Sequence, residues 1–262
     1  MIICVGGKNL IAVQVLLSLF PRYEVTCLPN TDDPGKDGWQ PSLKRVAKGL
    51  GVPIVTLEQV QSDPDCVFLS VEYANIVDPV RFKSGKLFNV HFSLLPNYRG
   101  CHTAIWPILN GETLHGVTLH EIDAGVDSGP IIAQEAFDLT GMTAVDSYMR
   151  CQQLGIKLVL DWVSRLISGD YAAIPQPKSG SCYRRNQLNW SLKEIDLSET
   201  SEQVLRKIQG FHFSSVSKAH AEWPADLFSG KRGELQDRRR GDIAQLSGIS
   251  RATAVQIRRF QT

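Results

Sequence analysis

Residues 1–5 form a short apolar run that stops at Gly6-Gly7-Lys8, and residues 10–20 then carry enough apolar side chains for a helix. Strand, glycine turn and helix in that order constrain the fold more than any other feature. They build a βαβ unit, and with it a parallel sheet. Residues 24–28 read as the second strand, ended by Pro29-Asn30. Further strands are expected at 52–57, 66–71, 87–91, 117–122 and 130–137, and helices at 42–50, 104–109, 146–167 and 200–208. The 146–167 segment has sustained 3.6-residue periodicity and should close the core. The fold class is therefore α/β, with no recurring period that would signal a repeat architecture.

Composition excludes little. The chain has 262 residues, 43% of them hydrophobic, and a formal net charge of +1, so no global field favours nucleic acid or a membrane. Six cysteines are scattered without a C-x-x-C pair or a Cys/His cluster, which reads as reduced thiols and offers no metal set. The first residues carry no basic leader before their apolar run, so a cytoplasmic location is expected.

Chemistry concentrates between residues 87 and 133. The run L-F-N-V-H ends in Asn89 and His91, whose i, i+2 spacing puts both side chains on one face of a strand. Pro96, Asn97 and Gly100 then break the chain into a loop. Some 30 residues on, a second strand ends in a loop holding Asp123, Asp127 and Gly129. A carboxamide, an imidazole and a carboxylate at strand ends can stabilise an oxyanion and move a proton. Either aspartate could complete that set, and His120 reads as a structural histidine nearby. Ligands of open α/β sheets sit beyond the carboxyl ends of strands, so Glu72-Tyr73-Ala74-Asn75 are pocket candidates. Gly7 and Lys8 form a glycine turn before a helix, which can hold an anion or simply turn the chain. Trp39 lies in the polar loop 31–41, where it can cover a core edge or stack on a flat ligand.

The stretches F-N-V-H-F-S-L-L-P-N-Y-R-G and G-V-T-L-H-E-I-D-A-G-V-D-S-G-P-I-I-A-Q closely resemble the formyltransferases that use N10-formyltetrahydrofolate. The resemblance runs over about residues 2–167. It implies a Rossmann-like catalytic core over residues 1–168, with a mainly parallel sheet and an Asn–His–Asp triad. Matched to the motif, the triad is Asn89, His91 and Asp127, because Asp127 directly precedes the small-Gly-Pro turn. It further implies that folate, as co-substrate, lies against Tyr73, Asn75 and Ile76 and against Glu121, Ile122, Asp123 and Val126, largely through main chain. No metal is implied. The G-G-K start, the loop around Trp39 and S-V-E-Y look most like sugar N-formyltransferases, whose acceptors are nucleotide-linked amino-deoxy sugars. The implied acceptor is a dTDP-3- or 4-amino sugar for surface polysaccharide such as the O-antigen of lipopolysaccharide. The runner-up is another small amine. Gly7 and Lys8 would meet the diphosphate, Glu72 would line the acceptor pocket, and Trp39 or Tyr98 would flank the nucleotide or sugar. A homodimer through the C-terminal region is also implied.

Residues 169–213 read as a C-terminal extension of the catalytic unit. From Ser214 the chain departs from the family pattern, and a one-nucleotide shift of reading frame can restore the expected aromatic-proline character, so 214–262 reads as a frameshifted tail. Residues 241–259 resemble a helix-turn-helix. With eight Lys/Arg against three Asp/Glu in 231–262, a DNA-associated role is the alternative from another functional class.

Overall fold

The computed structural model describes residues 1–196 and 198–212, all within one compact unit. Its centre is a six-stranded sheet in the order β2-β1-β3-β4-β6-β7. The strands are β1 (Ile2–Gly7), β2 (Val25–Pro29), β3 (Cys66–Val71), β4 (Leu87–His91), β6 (Leu114–Glu121) and β7 (Ile131–Asp138). The first four pair in parallel, and β6 and β7 run antiparallel at the far side. Between β6 and β4 a two-residue strand, β5 (Arg99–Gly100), leaves the sheet to pair with β8 (Cys182–Tyr183). Chain order reverses between β1 and β3, and the carboxyl ends at that reversal are where such sheets hold ligands.

Each helix has a local cause. α1 (Asn9–Leu19) buries Ile11, Ala12, Val13, Val15 and Leu16, which occupy more than one face. An apolar belt of that width requires cover on several sides, and α1 packs on β1, α2 and α5. α2 (Leu43–Leu50) starts at Ser42, whose side chain accepts from the Arg45 amide, and stops at left-handed Gly51. α5 (Ala144–Ser168) opens with a reciprocal Thr143/Asp146 capping box and closes on left-handed Gly169. It lies close to the sheet because Gly155 has no side chain: a Cβ there would sit 2.7 Å from Ile11 and 3.0 Å from Val90. α4 (Trp106–Leu109) is one turn, and α6 (Ser201–Phe211) is capped by Thr200. On the opposite face of the sheet Cys4, Leu28, Cys66 and Phe68 form a core with Val60, Val77 and Phe82. Phe68 is fully buried, and burying such a side chain stabilises the fold by about 1.5–3 kcal/mol.

One expected strand is wrong. Residues 52–57 contribute only an isolated bridge, Ile54 to Cys27, and Leu57 already opens the helix α3 (Leu57–Ser62). Thr56 and Gln59 form a capping box, which commits the chain to a helix where the apolar run alone suggested a strand. The expected thiols at Cys4, Cys27 and Cys66 are buried, and all six cysteines are free. Among the described residues no helix is long and apolar enough to cross a membrane. The tail reading, the helix-turn-helix and the C-terminal part of the expected dimer contact fall outside the described residues.

Candidate active site

β4 delivers Asn89 and His91 to one face, as their spacing requires, and the loop between β6 and β7 brings Asp127 beneath them. His91 Nε2 lies 2.7 Å from the Tyr98 carbonyl. A carbonyl only accepts, so Nε2 carries a proton. His91 Nδ1 faces Asp127 Oδ2 at 3.5 Å. That contact is an ion pair only when the ring carries both protons. Asn89 Nδ2 lies 3.3 Å from Asp127 Oδ1 and 3.0 Å from His120 Nε2. Asp127 has a left-handed φ of 49°, an uncommon conformation for a residue with a side chain. Its Oδ2 accepts the Gly100 amide at 2.9 Å. Gly100 must be glycine: a Cβ would lie 2.2 Å from the Tyr183 carbonyl, inside the β5–β8 pair that aims this amide.

His120 lies beside this group, as expected of a structural histidine nearby. Its Nδ1 lies 2.7 Å from the Glu121 carbonyl and therefore donates, leaving Nε2 bare to accept from Asn89. Burial pushes its pKa down to about 4, helped by the adjacent His91 and opposed by Asp127. His120 is thus neutral and serves to hold the Asn89 amide. Two further residues escaped the sequence reading. Gln176 donates to the carbonyls of Asp127 at 3.0 Å and Gly129 at 2.7 Å, and accepts from Arg99, so it ties the aspartate loop to β5. Nothing local in the sequence marks a glutamine 49 residues downstream as a partner of Asp127. Ser70, on β3, donates to Asn89 Oδ1 at 2.7 Å.

A second region lies at the carboxyl ends of β1, β2 and β3. Gly7 passes so close to β3 that a Cβ would sit 1.8 Å from the Val71 carbonyl, so its role is close packing of strands. Lys8 pairs with Asp32 at 2.8 Å, and both line an open cavity of about 320 Å³ together with Asn9, Lys36 and Trp39. Lys8 holds the Asp32 carboxyl below its usual value, chiefly through that hydrogen bond. Trp39 is half-buried and leans on Tyr148 with ring centroids 5.8 Å apart. The amide of Leu10 at the start of α1 already donates to Gln40 Oε1 at 2.9 Å. One amide at this turn is therefore already occupied, and Lys8 and Lys36 are the lysines of the cavity.

Most of the other expected contact residues have partners within the protein. Glu72, left-handed at φ 59°, turns its carboxylate inward, where Tyr148 donates at 2.8 Å and Asn9 and Gln152 donate at 3.4 and 3.3 Å. It braces β3 against α1 and α5. Burial pushes this carboxyl up to about 7, against the pull of Tyr148, Asn9 and Lys8. The Tyr98 ring is buried, stacked on Tyr183 and hydrogen-bonded to Glu112 at 2.6 Å. Tyr73 and Ile122 pack against the Phe68 core. Asp123 is held by Ser128 and the Gly125 amide, and Glu121 by Tyr171. Asn75 donates to the Tyr73 hydroxyl, while Ile76 and Val126 are exposed apolar side chains on the two loops. Among the described residues no group of three His, Cys, Asp or Glu could hold a metal ion.

A parallel-centred sheet whose strand ends converge a carboxamide, an imidazole and a carboxylate has the groups needed to stabilise an oxyanion and move a proton. The formyl transferase family model matches residues 55–162, which include all three groups. WlaRD, a sugar 3N-formyl transferase solved in the presence of dTDP and 5-N-formyl-THF, is 36% identical, with a TM-score of 0.78 over 82% of this chain and 80% of that one. The N-formyltransferase from Helicobacter canadensis, solved with folinic acid and dTDP-3-aminofucose, is 38% identical over 82% of each chain, also with a TM-score of 0.78. Methionyl-tRNA formyltransferase of Synechococcus sp. (strain JA-3-3Ab) is 29% identical over 88% of this chain and 81% of that protein. The chain belongs to the formyltransferase family.

Proposed function

We propose that this formyltransferase moves the formyl group of N10-formyltetrahydrofolate to the primary amine of a dTDP-linked 3-amino-deoxy sugar. One observation carries the chemistry. The Asn89 amide and His91 Nδ1 converge on a single carboxylate across 3.3 and 3.5 Å, long beside the ~2.7–2.9 Å of a charge-assisted hydrogen bond. A formyl oxygen seated there would replace Asp127 as their acceptor, and both donors strengthen as that oxygen becomes negative. Asp127, relieved of two partners but still held by Gly100, takes the proton that the attacking amine loses. The proton is then available to N10 as the carbon–N10 bond breaks. Bound folate supplies the activated formyl carbon. This chain supplies orientation, charge and the proton site. Exposed Ile76 and Val126 suit the face of a flat pterin, with Asn75 beside them.

The acceptor reading is supported by the likeness to WlaRD and to the Helicobacter canadensis enzyme, at 36% and 38% identity. Lys8 would exchange Asp32 for a diphosphate, and Trp39 would cover the base or sugar. The proposed catalytic unit extends past residue 168, because Gln176 and Tyr183 support the Asp127 loop. The test offers dTDP-3-aminofucose, a dTDP-4-amino sugar and initiator methionyl-tRNA separately, with tetrahydrofolate release as the readout. The 3-amino sugar should turn over fastest; faster formylation of methionyl-tRNA would contradict the acceptor assignment.

A further inference from the structure

Asn89 has two chemically different ends, and the structure fixes which end faces the reaction. On one side stand Asp127 Oδ1 at 3.3 Å and His120 Nε2 at 3.0 Å. An ionised carboxylate only accepts. His120 has spent its proton on the Glu121 carbonyl, so its Nε2 only accepts as well. Both neighbours therefore demand the NH2 group, and Oδ1 is left pointing at β3. Ser70 meets it there. Its register places it beside Asn89, its residue is 8% exposed, and its hydroxyl donates at 2.7 Å.

We propose that Ser70 is a positioning residue for formyl transfer, acting through the Asn89 carboxamide. The inference rests on the proposed role of Asn89 as a donor to the formyl oxygen. Two effects follow from one hydrogen bond. The first is orientation. Once the formyl oxygen displaces Asp127, one of the two groups that dictated the amide's direction is gone, and Ser70 and His120 keep the NH2 turned toward the substrate. The second is polarisation. A donor on the amide oxygen draws electron density from nitrogen, so the N–H that faces the developing oxyanion becomes a better donor. Ser70 itself touches no reacting atom. The bland alternative is a strand hydroxyl that merely satisfies a buried oxygen, and that role predicts a loss of stability with no selective change in turnover.

Ser70→Ala and Ser70→Thr, in the full chain, separate the two. The Asn89 side-chain amide is assigned in 1H–15N spectra by its disappearance in Asn89→Ala. In unliganded Ser70→Ala that amide pair should shift and broaden, and in Ser70→Thr it should return to the wild-type position. With N10-formyltetrahydrofolate and dTDP-3-aminofucose, Ser70→Ala should lower kcat roughly tenfold with both KM values held within about twofold, as for loss of one hydrogen bond felt in the transition state. Ser70→Thr should restore kcat to within about threefold of wild type. An unshifted Asn89 amide in Ser70→Ala, an unchanged kcat, or a loss that Thr does not restore overturns the proposal. The spectra require no acceptor. Absence of wild-type turnover on the amino sugar would therefore sink the acceptor reading, while the Asn89 amide still decides the Ser70 contact.

Discussion

The two strand-end regions are built on opposite electrostatic plans. Around Asn89 the polar groups are buried or partly buried, mostly paired inside the protein, and held by backbone that departs from ordinary geometry at Asp127 and Gly100. Around Lys8 they are solvent-facing and charged, with Lys8 and Asp32 side chains 34% and 60% exposed. Low dielectric makes a hydrogen bond in the first region strong and an unmet one costly, while water screens the second. Chemistry suits the first plan and recognition of a charged, variable acceptor suits the second. Glu72 belongs to neither: it is the brace between them.

Replacing the oxyanion donors should produce the largest effect. His91→Ala and Asn89→Ala are each expected to lower kcat by roughly 10²- to 10³-fold, measured with both substrates saturating, with thermal midpoints showing that the fold survives. A loss confined to KM would place the chemistry elsewhere. The other region should respond in the other parameter. Lys8→Ala is expected to raise acceptor KM by about tenfold, the size of one exposed charge contact to a diphosphate, and to leave folate KM unchanged. Equal effects on the two KM values would erase the distinction between the regions.

Stability should distinguish the brace. The Glu72 carboxyl is raised to about 7 from an ordinary value of 4.5, so the folded state binds the extra proton between those values. Its contribution is fully present below 4.5 and lost as pH rises through 7. Glu72→Gln should therefore flatten the decline in stability between about pH 4.5 and 7, followed by urea unfolding across a pH series. The smallest effect has the opposite sign. Burial depresses His115 and His120 to about 4 from 6.5. Both are neutral when folded, so their contribution is complete above 6.5 and drains away as pH falls toward 4. His115→Phe should remove part of that acid limb; an unchanged limb would assign it to other groups.

How legible the molecule was in its sequence follows the same division. Asn89, His91 and Asp127 are recognisable because strand periodicity and a turn motif fix them locally, and the sheet brings together what those motifs name. Ser70 and Gln176 were invisible because their partners are set by register and by a chain crossing, not by neighbours in sequence. The segment after Pro53 reads as a strand by apolar content, yet the Thr56/Gln59 capping box outweighs it. Glu72 looks like a pocket residue because it sits at a strand end, and Tyr98 through the family resemblance. Their side chains turn inward through left-handed backbone, which no spacing rule shows.

The central claim is that Asp127 holds the donors until the formyl oxygen arrives and then takes the amine proton. Steady-state kinetics of Asp127→Asn, with donor and amino sugar both varied, test it most directly, since the amide keeps the shape and removes the proton acceptor. The account predicts a fall in kcat of about a thousandfold, with both KM values within a few-fold of wild type. An Asp127→Asn enzyme that keeps most of its kcat would contradict it.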